Sequence, residues 1–273
     1  MPNHVYSRFI TFLVSIEYPC IKQNIMSNAN NSSPVSRMIP YLIFFAGLIG
    51  LYYLYQYLFG AQTGNSFPLL TVNRSAIVDS AAPITISSKD LPGIFEGGEF
   101  TISTWFYVSN WSHRMNMNKA ILLIGGPNFD TIRIYLGATK PTLKVRFHTK
   151  ETGTGSSQTE ALPKATQNVV FTTTQTDSGL LDVSTICDLP EVDLQRWVNL
   201  TVAVNGKTVD MYLDGKLSRS CVLPASFKVD SGGYSAVLLP FGGFGGQMST
   251  TMMYDAALNP ESVYKNYMLG PAL

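Results

Sequence analysis

Residues 197–213 place the tightest constraint on how this chain of 273 residues folds. Apolar and polar side chains alternate over 197–204, and they alternate again over 209–213. Such alternation is typical of strands that bury one face. Asn205-Gly206 separates the two runs and favours a tight hairpin turn, because both turn positions need a positive φ. With Asp214-Gly215 as a second turn signal, the pattern predicts a β-meander.

Strand signals extend through most of the last 200 residues or so. Further strands are predicted over 100–108, 120–125, 131–137, 143–148 and 247–254. The segment 149–179 is rich in Thr, Ser, Gln and Gly, which predicts a long hairpin loop with one strand over 168–173. Asn259-Pro260-Glu261 predicts the start of a short helix, because Asn caps it, Pro fits its first turn and Glu favours its dipole.

An uncharged apolar run covers residues 39–59, with Gln56 as its one strongly polar side chain. About 20 apolar residues span the hydrocarbon core of a bilayer, so the run predicts a transmembrane helix. A buried core helix or a signal sequence cleaved near Ala61 is the alternative. Arg37 precedes the run and the next basic residue is Arg74, which predicts a single-pass protein with a cytosolic N-terminus.

These signals divide the chain into four parts. We expect a disordered tail over 1–38, a transmembrane helix over 39–59, a linker over 60–74 and a β domain with a short C-terminal helix over 75–273. The net charge is +1 and 14% of the residues are charged, so the chain has no basic stripe for a nucleic-acid partner. A lipid bilayer is the expected partner of the apolar run.

The segments WVNLTVAV from Trp197, VDMYLDGKL from Val209 and GQMSTTMMYDAALNPE from Gly246 resemble a known family. They are similar to the laminin-G-like, concanavalin A-like lectin/glucanase jelly roll, over roughly 75–270. The resemblance implies an all-β sandwich of two antiparallel sheets that binds carbohydrate or protein. The segment YLDGKL with CVLP from Cys221 resembles versions encoded by large DNA viruses of algae and protists.

We therefore expect a non-catalytic, membrane-tethered structural or recognition module. The resemblance implies a virion membrane protein or minor capsid protein that binds capsid proteins or glycans. A host-facing, carbohydrate-binding lectin and a membrane-anchored glycoside hydrolase are the alternatives.

Catalytic acids are not expected. Retaining glucanases of the resembled fold carry two carboxylates in the pattern Glu-x-Asp-x-x-Glu. The nearest match starts at Glu191 and Asp193, but Arg196 replaces the last acid and the segment reads as a loop. The chain is therefore predicted not to be an enzyme.

One loop has the composition of a sugar site. The loop contains an aromatic ring, which can stack on a pyranose, and polar groups that can hydrogen-bond to hydroxyls. These side chains belong to Asn110, Trp111, His113 and Arg114. These four residues are the predicted ligand-binding residues. The alternative is that Trp111 caps the core of the sandwich.

No metal and no cofactor are expected. His4, His113 and His148 lack ligand spacing, and the aspartates that are conceivable calcium donors, Asp130 and Asp214, read as turn residues.

Two covalent features complete the expectations. Cys187 and Cys221 flank a predicted hairpin, so an oxidising compartment favours a disulfide between them, with two buried free thiols as the alternative. Asn73 and Asn110 lie in sequons and are candidate glycosylation sites.

Overall fold

The computed structural model describes residues 34–59, 64–80, 82–149, 163–176 and 187–272. The chain divides into two compact units, residues 1–60 and 61–273. Residues 1–33 of the predicted tail and most of the predicted loop 149–179 lie outside the described residues.

The described part of the first unit is helix α1, Pro34–Phe59. A bilayer crossing needs about 20 predominantly apolar residues. Three tyrosines, two glycines and Pro40 interrupt the aliphatic residues over 38–54, where the side chains are described. No helix in the described part of the chain has the length and hydropathy for a crossing. The predicted single-pass membrane location is therefore wrong, and the transmembrane helix 39–59 and the bilayer partner are unsupported.

The second unit contains two antiparallel sheets. Sheet A has seven strands: β1 (Ser66–Leu70), β2 (Arg74–Ile77), β4 (Glu99–Asn110), β8 (Trp197–Asn205), β9 (Thr208–Leu213), β10 (Lys216–Val222) and β12 (Gly243–Tyr254). Its order is β1-β12-β4-β8-β9-β10, and β2 also pairs with β12. Sheet B has five strands: β3 (Ile84–Ile86), β5 (Lys119–Gly125), β6 (Asp130–Leu136), β7 (Leu143–Phe147) and β11 (Ser235–Leu238). Its order is β3-β11-β5-β6-β7.

These sheets confirm the prediction of an all-β domain with two antiparallel sheets, including the meander β8-β9-β10. The turns differ in detail. Asn205 pairs with Thr208, so the first turn lies one residue later than predicted, and within it only Gly206 takes a positive φ, of 61°. In the second turn Asp214 and Gly215 both take positive φ values, 50° and 74°, as a type I′ turn requires.

Alternating side chains from both sheets form one apolar core. Phe100, Ile102 and Phe106 of β4 and Ile132 and Ile134 of β6 are buried in it. The intervening residues of each strand point to the outer faces, as the period of two in a strand dictates.

Helices cover both outer faces. Helix α3, Pro260–Met268, begins where predicted, and the Asn259 side chain accepts a hydrogen bond from the Ser262 amide. Tyr267 of α3 stacks on Trp105 of sheet A at 5.5 Å between ring centres. Helix α2, Lys164–Thr172, buries Val170 and Phe171 against the outer face of sheet B.

Helix α2 corrects the predicted strand over 168–173. The run Val169-Val170-Phe171 has high strand propensity, which is why the sequence alone predicts a strand. In a helix, however, positions three and four apart share one face. Gln167, Val170 and Phe171 therefore reach sheet B together, and this burial outweighs the local propensity.

Candidate functional site

A cavity of about 190 Å³ lies on the outer face of sheet B beside α2. Residues from five separate parts of the sequence line it, among them Ser80, Leu123, Asp130, Lys164, Asn168 and Phe241. Ser80 is exposed and the Lys164 side chain is 34% exposed, so solvent reaches the cavity. Its volume matches a ligand the size of one sugar ring or smaller.

The polar groups of the cavity come from β6 and α2. Lys164 Nζ lies 3.1 Å from Asp130 Oδ1 and donates a hydrogen bond of 2.7 Å to the Gly126 carbonyl. The Asp130 amide donates to Gln167 Oε1 at 3.2 Å, which fixes the first turns of α2 against β6. Two further oxygens, Asp130 Oδ2 and Asn168 Oδ1, are buried without a hydrogen-bond partner. The residues that line the cavity therefore include one cationic donor, Lys164, and two residues with a buried unsatisfied acceptor, Asp130 and Asn168.

One wall is the ring of Phe241, which is half-buried and stacks on Phe171 at 5.0 Å. Phe241 lies in the 3₁₀ turn Pro240–Gly242, and its φ is 57°. Leu239 also has a positive φ, 56°, as do Gly242 and Gly243. A non-glycine residue in this region costs about 1–3 kcal/mol, so surrounding contacts must hold the turn in place.

Part of the predicted ligand-binding loop holds this turn. The Arg114 guanidinium donates to the carbonyls of Phe241 and Phe171, and His113 Nε2 lies 3.2 Å from the carbonyl of Gly242. His113 and Arg114 thus support the cavity wall through the backbone. They are absent from the lining of the cavity among the described residues.

Trp111 and Asn110 serve the loop in other ways. Trp111 is half-buried against the core, and Lys119 Nζ lies 3.9 Å from the centre of its ring. The exposed Asn110 accepts a hydrogen bond from the Ser112 amide at 2.9 Å. No observation tests ligand binding by these four residues, and it stays a prediction.

Asp230 organises the turn next to the cavity. Its carboxylate accepts hydrogen bonds from the amides of Asn128 at 2.7 Å and Gly232 at 2.9 Å, and from Asn128 Nδ2 at 2.9 Å. Burial raises the pKa of Asp230, but the hydrogen bonds from Gly232, Asn128 and Phe129 outweigh it, so the pKa lies below its ordinary value. The turn places the Gly126 carbonyl where Lys164 reaches it.

The segment that resembles a glucanase motif lies on the surface. Glu191 is 3.9 Å from Lys140, and Asp193 forms an ion pair with Arg196 at 2.6 Å. Arg196 also donates to Asp214, and this bond raises its pKa despite some burial. The two acids are outside the cavity lining.

The remaining predicted residues are placed as follows. Cys187 and Cys221 are joined by a disulfide, with their Cα atoms 5.6 Å apart.

Asn73 donates to Gln247 Oε1 at 3.1 Å, so its amide is engaged on the surface of sheet A. The described residues contain no cluster of three or more metal-ligating side chains. Glycosylation of Asn73 and Asn110 and the expected lack of a metal stay predictions.

Sequence reasoning missed the cavity residues Lys164, Asn168 and Phe241. Pro163-Lys164 at the start of a run without Gly was an available signal for a helix, because Pro is favoured around the first helical position. Nothing in the local sequence indicates that α2 meets Phe241, more than 60 residues later.

Comparison with known proteins identifies no family. No family model and no curated protein matches the chain. Among solved structures, it is similar to the ligand-binding domain of botulinum neurotoxin serotype D, in complex with N-acetylneuraminic acid, at 12% identity and a TM-score of 0.45, over 76% of this chain and 42% of that one. A Trypanosoma rangeli sialidase with 2,3-difluorosialic acid matches at 10% identity and a TM-score of 0.36, over 63% and 23%.

The chain therefore spans less than half the length of these structures. Similarities of this size carry no functional information for the chain. The two-sheet sandwich stands on the strand pairing described above, and the predicted viral relationship has no support from these comparisons.

Proposed function

We propose that the β domain is a non-catalytic carbohydrate-binding module, and that the cavity beside α2 binds one sugar ring. The observation that carries the proposal is that two residues with a buried, unsatisfied acceptor, Asp130 (Oδ2) and Asn168 (Oδ1), line the same cavity as Phe241. Sugar hydroxyls donate to such acceptors, and Lys164 donates to a hydroxyl or ring oxygen. The apolar face of a pyranose packs on an aromatic ring.

The charges of the cavity favour binding over hydrolysis. A glycoside hydrolase of the usual kind needs two carboxyl groups on either side of the scissile bond. Asp130 is the single carboxylate among the described residues that line the cavity, and Lys164 neutralises it. Glu191 and Asp193 are exposed, and each lies within ion-pair distance of a basic side chain, Lys140 and Arg196 respectively. These facts support a module without catalytic acids.

The expected association with a virion or capsid proteins is left without a structural observation in its favour. Of the functions considered, the carbohydrate-binding alternative is the one that the cavity supports.

The first prediction tests this proposal with the chain of 273 residues. A glycan array identifies ligands, and calorimetry then compares Asn168→Ala with the unchanged chain. We expect affinity to fall about fivefold, because one net hydrogen bond is worth about 1 kcal/mol. Phe241→Leu should weaken binding further by removing the ring.

Thr166→Ala is the matched control, since Thr166 lies on the same helix with its side chain exposed. It should leave affinity unchanged. An absence of glycan binding by the unchanged chain, or binding that both cavity variants leave intact, contradicts the proposal.

A further inference from the structure

Strand β6 of sheet B contains a buried arginine without an ion pair among the described residues. Arg133 of β6 is 4% exposed, and its Nε has no hydrogen-bond partner. Nε is the one guanidinium nitrogen of Arg133 that is buried without a partner, and no ion pair of Arg133 is found among the described residues. A buried charge without a partner is strongly unfavourable, so a counter-charge is expected at this position.

The residues around Arg133 increase the need for a counter-charge at this position. Arg146 of β7 lies directly opposite it in the register of the sheet, and like charges in opposite positions repel. Asp188 accepts hydrogen bonds from both terminal nitrogens of Arg146, so its carboxylate is already used. Asp130 lies three residues away along the same strand and is paired with Lys164.

Unsatisfied groups cluster around this position. Thr131, two residues before Arg133 on the same face of β6, is 1% exposed, and its hydroxyl has no partner. With Asp130 Oδ2 and Asn168 Oδ1, half of the eight buried unsatisfied side-chain atoms found in the described residues belong to the start of β6 and to α2. Such atoms are rare in folded proteins, and a bound water, ion or ligand is a common explanation for a group of them.

Arg133 is also next to the cavity. Leu123 of β5 lines the cavity and is the register partner of Arg133 on the side away from Arg146. Directly opposite residues of an antiparallel pair have Cβ atoms about 5 Å apart. Arg133, with its unpartnered Nε, therefore lies beside a lining residue of the cavity, while Arg133 and Thr131 are themselves outside the lining.

We infer that the ligand of the cavity is an acidic saccharide, and that its carboxylate or sulfate binds Arg133 and the hydroxyl of Thr131. This inference rests on the proposed function and specifies its substrate class. A guanidinium binds a carboxylate or sulfate through two parallel hydrogen bonds, and a threonine hydroxyl donates a third. The neutral part of the sugar contacts Asp130, Asn168 and Phe241.

The test compares pairs of glycans that differ only in the acidic group. An array carries glucose and glucuronate termini, galactose and galacturonate termini, and sulfated and unsulfated forms of each hexose. Calorimetry then measures the affinities of both members of the glycan pair that binds most strongly. We expect the full-length chain to bind the acidic member at least tenfold more tightly, and Arg133→Gln to remove this preference while keeping affinity for the neutral member.

Two variants guard against a folding defect. Thr131→Val conserves shape and should lower the acidic preference severalfold. Arg74→Gln, at an exposed arginine of sheet A, should leave it unchanged. Thermal melting identifies any variant that fails to fold. If Arg133→Gln fails to fold, the preference of the unchanged chain for acidic over neutral glycans decides whether the inference stands.

The outcomes separate the two proposals. Binding of neutral and acidic members with equal affinity overturns the inference and leaves the carbohydrate-binding function standing. No binding of any glycan overturns both. Inorganic sulfate or phosphate that competes with the acidic glycan and loses its effect in Arg133→Gln supports the inference. If these free anions bind through Arg133 but no glycan does, the saccharide assignment is overturned. An unchanged acidic preference in folded Arg133→Gln also overturns it.

Discussion

Lys119 shows at the scale of one residue how burial changes chemistry. It is fully buried, and its ammonium donates to the carbonyls of Arg114 at 3.2 Å and Met117 at 3.3 Å. Burial, together with the charge of Arg114, lowers the pKa of Lys119 to about 8. This side chain lies over Trp111, the ring expected to stack on a sugar.

The lowered pKa of Lys119 predicts a pH dependence of stability. Between pH 8 and about 10 the unfolded chain keeps a proton that the folded chain has lost, since the pKa of an unfolded lysine is about 10.4. The free energy of unfolding should therefore rise with pH in this window, by at most about 1.4 kcal/mol per pH unit. Urea unfolding at pH 7.5, 8.5 and 9.5 measures it.

Lys119→Met should flatten this rise. Lys265→Met is the control, because Lys265 is exposed on α3, and it should keep the slope of the unchanged chain. A slope that Lys119→Met leaves intact would assign the effect to other groups.

The β5–β6 turn illustrates the scale of an element. Its geometry depends on a residue from a distant loop, because Asp230 accepts hydrogen bonds from the amides of Asn128 and Phe129. Gly126 enters the turn so close to Asp230 that a side chain there would lie 2.5 Å from its carboxylate. The turn and the loop are therefore stable only together, and with them the position of Lys164.

Asp230→Asn should destabilise the domain by about 1.5–3 kcal/mol at pH 7, the range for hydrogen bonds to a charged group. Because the pKa of Asp230 is lowered in the folded state, its contribution is complete above the unfolded pKa of about 4 and is lost as pH falls through the folded value. The difference between the unchanged chain and the variant should shrink from pH 5 to pH 2, measured by urea unfolding.

Asp193→Asn, at an exposed acid, serves as the control and should cost little. A difference that stays constant down to pH 2 would show that the charge of Asp230 is not the cause.

At the scale of the whole molecule, one covalent bond joins the edges of the two sheets. Cys221 lies on β10 of sheet A, whereas Cys187 is two residues from Leu189, whose amide donates to Leu143 of β7 in sheet B. The strand order places β10 and β7 at the open edges of their sheets. The disulfide therefore links the open edge of sheet A to the segment that pairs with the open edge of sheet B.

Removing this disulfide should lower the free energy of unfolding markedly. A disulfide between residues separated by 34 positions lowers the entropy of the unfolded chain, and this raises the free energy of the unfolded state by about 3–4 kcal/mol. Cys187→Ala/Cys221→Ala should lose about this amount in urea unfolding, and the control Ser220→Ala, at an exposed position of β10, should lose little. Peptide mapping without reductant should find Cys187 linked to Cys221. Two freely alkylated thiols would contradict the assignment.

The sequence by itself determined the strand meander, the turn at Asp214-Gly215 and the start of α3. Each of these depends on residues within about ten positions: alternation of side chains, backbone freedom at a turn, and a capping side chain. For Cys187 and Cys221 the sequence left a disulfide and two free thiols open, and the structure joins them by a disulfide. Local preferences agree with the final fold at these places.

Tertiary structure alone decided the rest. Local propensity favoured a strand over 168–173, but burial on sheet B makes the segment a helix. Hydropathy over 39–59 predicted a membrane crossing, and the described helix does not support one. The candidate site required Asp130, Asn168 and Phe241 to meet across more than 100 residues. No local pattern encodes that meeting, because it depends on how a helix packs on a sheet and on which buried groups are left without partners.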